Sequence, residues 1–331
     1  MRTVTVAFAL AGMVQAATVG CQAADAPLVQ VQTIPLENVR GRIDHMAVDI
    51  AGNRLFVAEL GNDSVDIVDL KSGKASRKIN NLKEPQGIAY LSDGDLIVVA
   101  NAADGSVRFF RAADLAALGT VALGDDADDV RTDTAGGRVL VGYGHGGLAV
   151  IDPTNRSLTG EIKLIGHPEG FEIDQKVNRA FVNVPEGHQV AVLDLRSGKL
   201  VSTWKFAGLG GNFPMALAAP GGPLAVVFRS PPKLVLLDPA TGSVEQSVDT
   251  CGDADDVFFD GKRQRFYVSC GDGTVDVIER RAVGLRAIGR VRTSSGARTS
   301  LFVPELDRLF VAARAGGPES QAAILVFRTS P

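Results

Sequence analysis

The sequence predicts an all-β fold, a seven-bladed β-propeller of four-stranded antiparallel blades. Three observations lead there. One short apolar pattern returns seven times, no sustained 3.6-residue apolar period runs through the chain, and 37 glycines punctuate it with turns. The pattern is a basic residue or turn followed by an apolar strand. It reads Arg54-Leu55-Phe56-Val57, Leu96-Ile97-Val98-Val99, Arg138-Val139-Leu140-Val141 and Arg179-Ala180-Phe181-Val182. It continues as Leu224-Ala225-Val226-Val227, Arg265-Phe266-Tyr267-Val268 and Arg308-Leu309-Phe310-Val311. The closing valines stand at 57, 99, 141, 182, 227, 268 and 311, so the steps are 42, 42, 41, 45, 41 and 43 residues.

Each copy has the same neighbours. Upstream lies a short strand ending at a turn, as in His45-Met46-Ala47-Val48-Asp49 before Ala51-Gly52-Asn53. Downstream lies a third strand ending in Asp, as in Val65 to Asp69, Leu148 to Asp152, Val190 to Asp194 and Leu234 to Asp238. A glycine-containing turn and a fourth, more polar strand follow. Four antiparallel strands in a repeat of about 40 residues make one propeller blade, with strands A to D counted from the axis outward. The last repeat stops after its third strand, Ala323 to Phe327, and the segment Leu28 to Ile34 has no blade of its own. That segment is therefore expected to supply strand D of blade 7 and close the ring, removing a free sheet edge. Residues 28–327 then form a single domain. Length alone, 331 residues, would equally allow two α/β domains, but these require helical periodicity that is missing.

The apolar-Val-Ala/Asn strand followed by a Gly or Asn turn, best seen in Phe56-Val57-Ala58 and Val98-Val99-Ala100-Asn101, resembles the YVTN-type, YncE-like seven-bladed propellers of exported bacterial proteins. The resemblance covers residues 28 to 327. It implies the fold. It leaves function open, because such propellers include enzymes, binding proteins and proteins of unknown role. No lactonase motif is present from which a catalytic residue could be carried over.

The first 23 residues read as an export signal: Arg2, an apolar run from Val4 to Val14, then small residues with cleavage after Ala23. A second reading takes Thr18-Val19-Gly20-Cys21 as an imperfect lipobox, with Cys21 acylated. Either way the chain is expected to be periplasmic or secreted, lipid-anchored in the second case. No later segment is long and apolar enough to span a bilayer. Two cysteines remain, Cys251 and Cys270, and an oxidising compartment favours their pairing, with a thiolate metal site as the alternative.

Aligning the blades on strand B places one residue per blade at the mouth of the axial channel. These are Asp44, Gln86, Asp128, Glu169, Pro214, Asp255 and Arg298. Two positions earlier stand Arg42, Glu84, Asp126, His167, Asn212, Asp253 and Gly296; one position later stand His45, Gly87, Asp129, Gly170, Met215, Asp256 and Thr299. Asp126-Ala127-Asp128-Asp129-Val130 in blade 3 matches Asp253-Ala254-Asp255-Asp256-Val257 in blade 6, nearly opposite across the axis. Carboxylates crowded at one mouth repel each other and need a cation, a shared proton or arginine partners such as Arg42, Arg131 and Arg298. The competing reading is that these aspartates cap turns. Against it, their polar identity changes from blade to blade, where a turn cap would repeat.

All four histidines map to the same face. His145, His167 and His188 lie on adjacent blades near Asp128 and Glu169, a set that suits Zn²⁺ or another transition metal; an all-oxygen ring suits Ca²⁺ or Mg²⁺. The expected site therefore has His45, Glu169 and Arg298 as catalytic candidates. Its ligand contacts would come from Asp44, Gln86, Asp128, Asp129, Arg131, Asn212, Asp255 and Asp256, with a divalent metal as the candidate cofactor. The expected function is binding of a small polar molecule or metal ion, with lactone or ester hydrolysis or a lyase reaction as possible chemistry. The alternative is a non-catalytic propeller that binds a ligand or docks an exported protein. A net charge of -4, an acidic mouth and 6% aromatic residues argue against nucleic acid. Walker, dinucleotide and GxSxG motifs are absent.

Overall fold

A computed structural model describes residues 26–317 and 320–331. The expected leader and the Cys21 lipidation site lie outside these residues. The described chain folds as seven four-stranded antiparallel sheets. Blade 1 is Met46–Asp49, Arg54–Glu59, Ser64–Asp69 and Lys74–Ile79, paired in chain order. All seven copies of the sequence pattern fall on B strands. The A strands are Met46–Asp49, Pro85–Leu91, Ala127–Asp133, Phe171–Asp174, Gly210–Leu217, Ala254–Asp260 and Ser300–Val303. Among the described residues no helix is long and apolar enough to cross a membrane.

The strand compositions follow from their places in the ring. A B strand has sheet neighbours on both sides and other blades on both faces. It is buried almost throughout, and so it is a continuous apolar run. The outermost strand meets solvent and is polar, as Lys199–Lys205 is. The core is accordingly divided into seven apolar layers, one at each blade interface. Between blades 1 and 2, for example, Phe56 and Ile67 pack with Ile88, Val99 and Phe110.

The basic residue of the repeat has a role that its turn position did not reveal. Arg54 Nε donates to Asp49 Oδ2 at 2.8 Å, while its Nη1 donates to the Ala112 carbonyl of blade 2 at 2.5 Å. Arg138 repeats the arrangement, bonding Asp133 Oδ2 at 2.7 Å and the Leu195 carbonyl of blade 4 at 2.6 Å. Each arginine is held by its own blade's aspartate and ties that blade to the next. In blade 6, Arg263 and Arg265 both donate to the Ser330 carbonyl and pin the C-terminus.

Closure occurs as expected. Leu28–Leu36 pairs antiparallel with Ala322–Thr329, completing the sheet that contains Ser300–Val303 and Arg308–Ala313. Cys251 and Cys270 form a disulfide with their Cα atoms 5.9 Å apart, both side chains buried. It joins the end of one B strand to the loop that enters the same blade. With the two cysteines 19 positions apart in sequence, the bridge constrains the unfolded chain. The variant C251S/C270S is expected to lose about 3 kcal/mol, read from denaturant unfolding. An unchanged midpoint would mean the bridge constrains nothing that the ring does not.

Candidate functional site

The A strands converge on the axis, and four of them are interrupted where they begin. The A–B register shifts between Pro85 and Ile88, Ala127 and Val130, Asn212 and Met215, and Ala254 and Asp256. A bulge re-aims the side chains it contains. Here the bulged stretches hold Gln86, Asp128, Asp129, Phe213, Pro214 and Asp255. The close approach of blades also demands a small residue: a Cβ on Gly87 would lie 2.1 Å from the Asp128 carbonyl oxygen.

The result is an axial cavity of about 240 Å³. Five of the seven aligned mouth positions line it: Asp44, Asp128, Glu169, Pro214 and Asp255. His45, Asp129, Gly170, Met215 and Asp256 from the next position line it too. The expected carboxylate crowding is present, but it is largely answered by cations. Arg42 Nη2 lies 2.8 Å from Asp44 Oδ2, and Arg131 pairs with Asp129. Arg298 Nε lies 2.8 Å from Asp255 Oδ2, and its Nη1 donates to both oxygens of Asp253 at 3.1 Å.

His45 stands between two buried carboxylates. Its Nε2 is 3.7 Å from Asp44 Oδ1 and its Nδ1 is 3.8 Å from Asp256 Oδ1. Burial alone would lower the imidazole's pKa. Asp256 foremost, then Asp44, Asp129 and Asp128, outweigh that and hold it at about 9. Burial raises Asp256 to about 7, against the pull of His45 and of the Ser300 N–H, which donates to its Oδ2 at 2.7 Å. Burial likewise raises Asp44 to about 6. On blade 4, burial and the nearby Asp128 raise Glu169 to about 7. Glu172 reaches about 7 through burial, with Asp129 adding and Arg131 opposing.

The other expected residues divide. Arg298 does not line the cavity; it braces Asp255 from behind. Gln86 is buried and reaches Asp126 at 3.5 Å. Asn212 is turned away into the interface of blades 4 and 5, where its Nδ2 donates to Asn183 Oδ1 at 2.8 Å and to the Gln189 carbonyl at 2.9 Å. The A–B turn of blade 5, between Leu217 and Leu224, is two residues longer than that of blade 1, between Asp49 and Arg54, so alignment on strand B is two residues out there and Pro214 reaches the cavity.

The expected histidine metal set is not assembled. The His145 side chain is 95% exposed and reaches only Asp125, at 3.6 Å. His188 caps a short turn in a left-handed conformation and lies beside Gly210. His167 Nδ1 donates to the Gly144 carbonyl at 2.7 Å, and its Nε2 lies 3.5 Å from Asp128. These bonds fix it as a strut between blades 3 and 4. Among the described residues, no three His, Cys, Asp or Glu side chains gather closely enough to hold a metal ion. The residues therefore do not fit the expected divalent cofactor. The thiolate alternative falls with the disulfide.

Two contributors were not anticipated. Arg229 ends strand B of blade 5 and pairs through Nη2 with Asp255, with its guanidinium 3.5 Å from the centre of the Phe213 ring. Its signal was an arginine at the strand's upper end, one blade from Asp253 and Asp255. Glu172 lines the cavity three residues after Glu169, in the aligned position of Arg131 on the neighbouring blade. That alignment was available, since the same position in other blades is apolar or alanine.

No family model matches the chain, and no curated protein does. Solved structures share its fold. A chain from the crystal structure of the mitotic checkpoint complex superposes with TM-score 0.75 at 14% identity, covering 100% of both chains. A chain of Kuenenia stuttgartiensis hydrazine synthase superposes with TM-score 0.76 at 16% identity, covering 96% of this chain and 99% of that one. At such identities the likeness establishes the seven-bladed propeller fold alone.

Proposed function

We propose that this chain is an exported propeller of the YncE-like kind that binds a small polar molecule in its axial funnel, where His45 gives a proton and Glu169 takes one. The observation that carries this reading is the convergence of charged side chains from blades 1, 3, 4 and 6 on one cavity. Two of them are proton carriers of opposite readiness. His45, held at about 9, is protonated at neutral pH; Glu169, at about 7, is partly ionised. Hydrolysis of a lactone or ester and a lyase reaction can both run on such a pair. Export is supported by the leader-like first 23 residues and agrees with the disulfide. One observation favours non-catalytic binding instead: most charges at the mouth are already paired, as in a recognition surface.

The test is a thermal-shift screen of lactones, esters and small polar metabolites, followed by assays of turnover on the hits. H45Q and E169Q are each expected to reduce turnover by about 10²- to 10⁴-fold. The kcat/KM profile should rise through pH of about 7 as Glu169 ionises and fall through about 9 as His45 loses its proton. Turnover unchanged in both variants would remove the catalytic role. Ligand binding without turnover would leave the binding role alone.

A further inference from the structure

Every cationic side chain around the funnel has a carboxylate partner. Arg42 has Asp44, Arg131 has Asp129, and Arg229 and Arg298 share Asp253 and Asp255. His45 lies between Asp44 and Asp256, and His167 against Asp126 and Asp128. The reverse does not hold. Glu169 and Glu172, both on blade 4 and both lining the cavity, have no ion pair or hydrogen bond to their carboxyl groups among the described residues. Asp129, 3% exposed and also in the wall, has a further oxygen, Oδ2, with no donor. One donor in the wall, Arg42 Nε, is also buried without an acceptor, but the unmet charge of this site lies on its carboxylates and calls for a cation.

A bare metal ion does not meet that demand, because the carboxylates are too dispersed to chelate one. Most of the rest of the wall is apolar, with Met46, Ile88, Met215, Phe258 and Leu301. A wall of this kind suits a ligand with a hydrocarbon body, and an aromatic or thioether surface tolerates a weakly hydrated cation well. The geometry points to a small organic ammonium ion as the ligand, its charge met by Glu169 and Glu172 and its body against the apolar wall. This deepens the reading of the funnel as a small-molecule site and rests on it.

The test uses probes of one shape and different charge. The full chain is titrated calorimetrically with choline, its neutral isostere 3,3-dimethylbutan-1-ol and the anion 3,3-dimethylbutanoate; ethanolamine is included as a primary ammonium. One of the two cations should bind at least tenfold more tightly than both isosteres. E169Q/E172Q should weaken that binding at least tenfold while the protein still melts cooperatively. Those two side chains have no partners to lose, so the variant is expected to fold. Equal binding of the alcohol, preference for the anion, or cation binding untouched by E169Q/E172Q would overturn the ammonium assignment and leave the funnel a ligand site. No binding by any of the four would also overturn the assignment; the metabolite screen would then judge the funnel on its own.

Discussion

The melting temperature is expected to fall steadily as pH rises from 5 to 9. Three buried acids, Asp44, Glu59 and Asp256, and two half-buried ones, Glu169 and Glu172, hold their protons longer in the folded chain than in the unfolded one. Burial raises Asp44 from 3.8 to about 6 and Asp256 from 3.8 to about 7; it raises Glu59, Glu169 and Glu172 from 4.5 to about 7. Over that interval the folded state binds more protons, so stability declines with pH until these groups ionise at about 7. The two histidines act in the same direction at higher pH. Their neighbouring carboxylates overcome burial and raise His45 and His167 from 6.5 to about 9. Stability from them is complete below 6.5 and is lost as pH passes 9. At one pKa unit to 1.36 kcal/mol, and with the groups strongly coupled, the decline is on the order of 5 kcal/mol. Melts followed by circular dichroism at pH 5, 7 and 9 check it. E59Q isolates one contribution outside the funnel: Glu59 Oε1 is buried without a donor while Oε2 accepts from Lys78 Nζ at 2.8 Å and Ser64 Oγ at 2.5 Å, so the variant loses the ion pair but should fall less steeply in melting temperature between pH 5 and 9. A flat or rising profile would show that these acids are solvated.

Removing Leu28–Leu36 is expected to abolish the folded monomer. Leu28, Ile34 and Leu36 are at most 2% exposed and fill the seams on either side of blade 7. Their burial is worth about 1.5–3 kcal/mol each, comparable in sum to the whole stability of a typical domain at about 5–15 kcal/mol. The deletion also leaves Ala322–Thr329 as an unpaired edge, open to pairing with another chain. Size-exclusion chromatography should show aggregate or oligomer. The milder Ile34→Ala should remain monomeric and lose about 2–5 kcal/mol. A monomeric, cooperatively melting deletion variant would mean that the ring does not depend on this closure.

The ring was readable because its cause is repeated seven times. A buried B strand must be apolar, and the spacing between copies then places the other three strands of the blade. Alignment on that strand also carried Asp44, His45, Asp128, Asp129, Glu169, Asp255 and Asp256 to one cavity, since the A strand follows from the B strand. It failed where the backbone departs from the repeat. The longer A–B turn of blade 5 puts Asn212 out of register and into a blade interface, and the loops that bear His145 and His188 take them out of the funnel. Arg229 escaped notice because its contact crosses from blade 5 to blade 6, a relation that no single repeat contains. The arginines that staple neighbouring blades were visible as a pattern, but their targets are backbone carbonyls, which leave no mark in the sequence.

The central claim is that the axial funnel holds a small polar molecule. A crystal structure of the protein grown with the best hit of the metabolite screen tests it most directly. Ligand density is expected between His45 and Glu169, within hydrogen-bonding reach of both. Ordered water alone in the funnel, with the hit bound elsewhere on the ring, would contradict it.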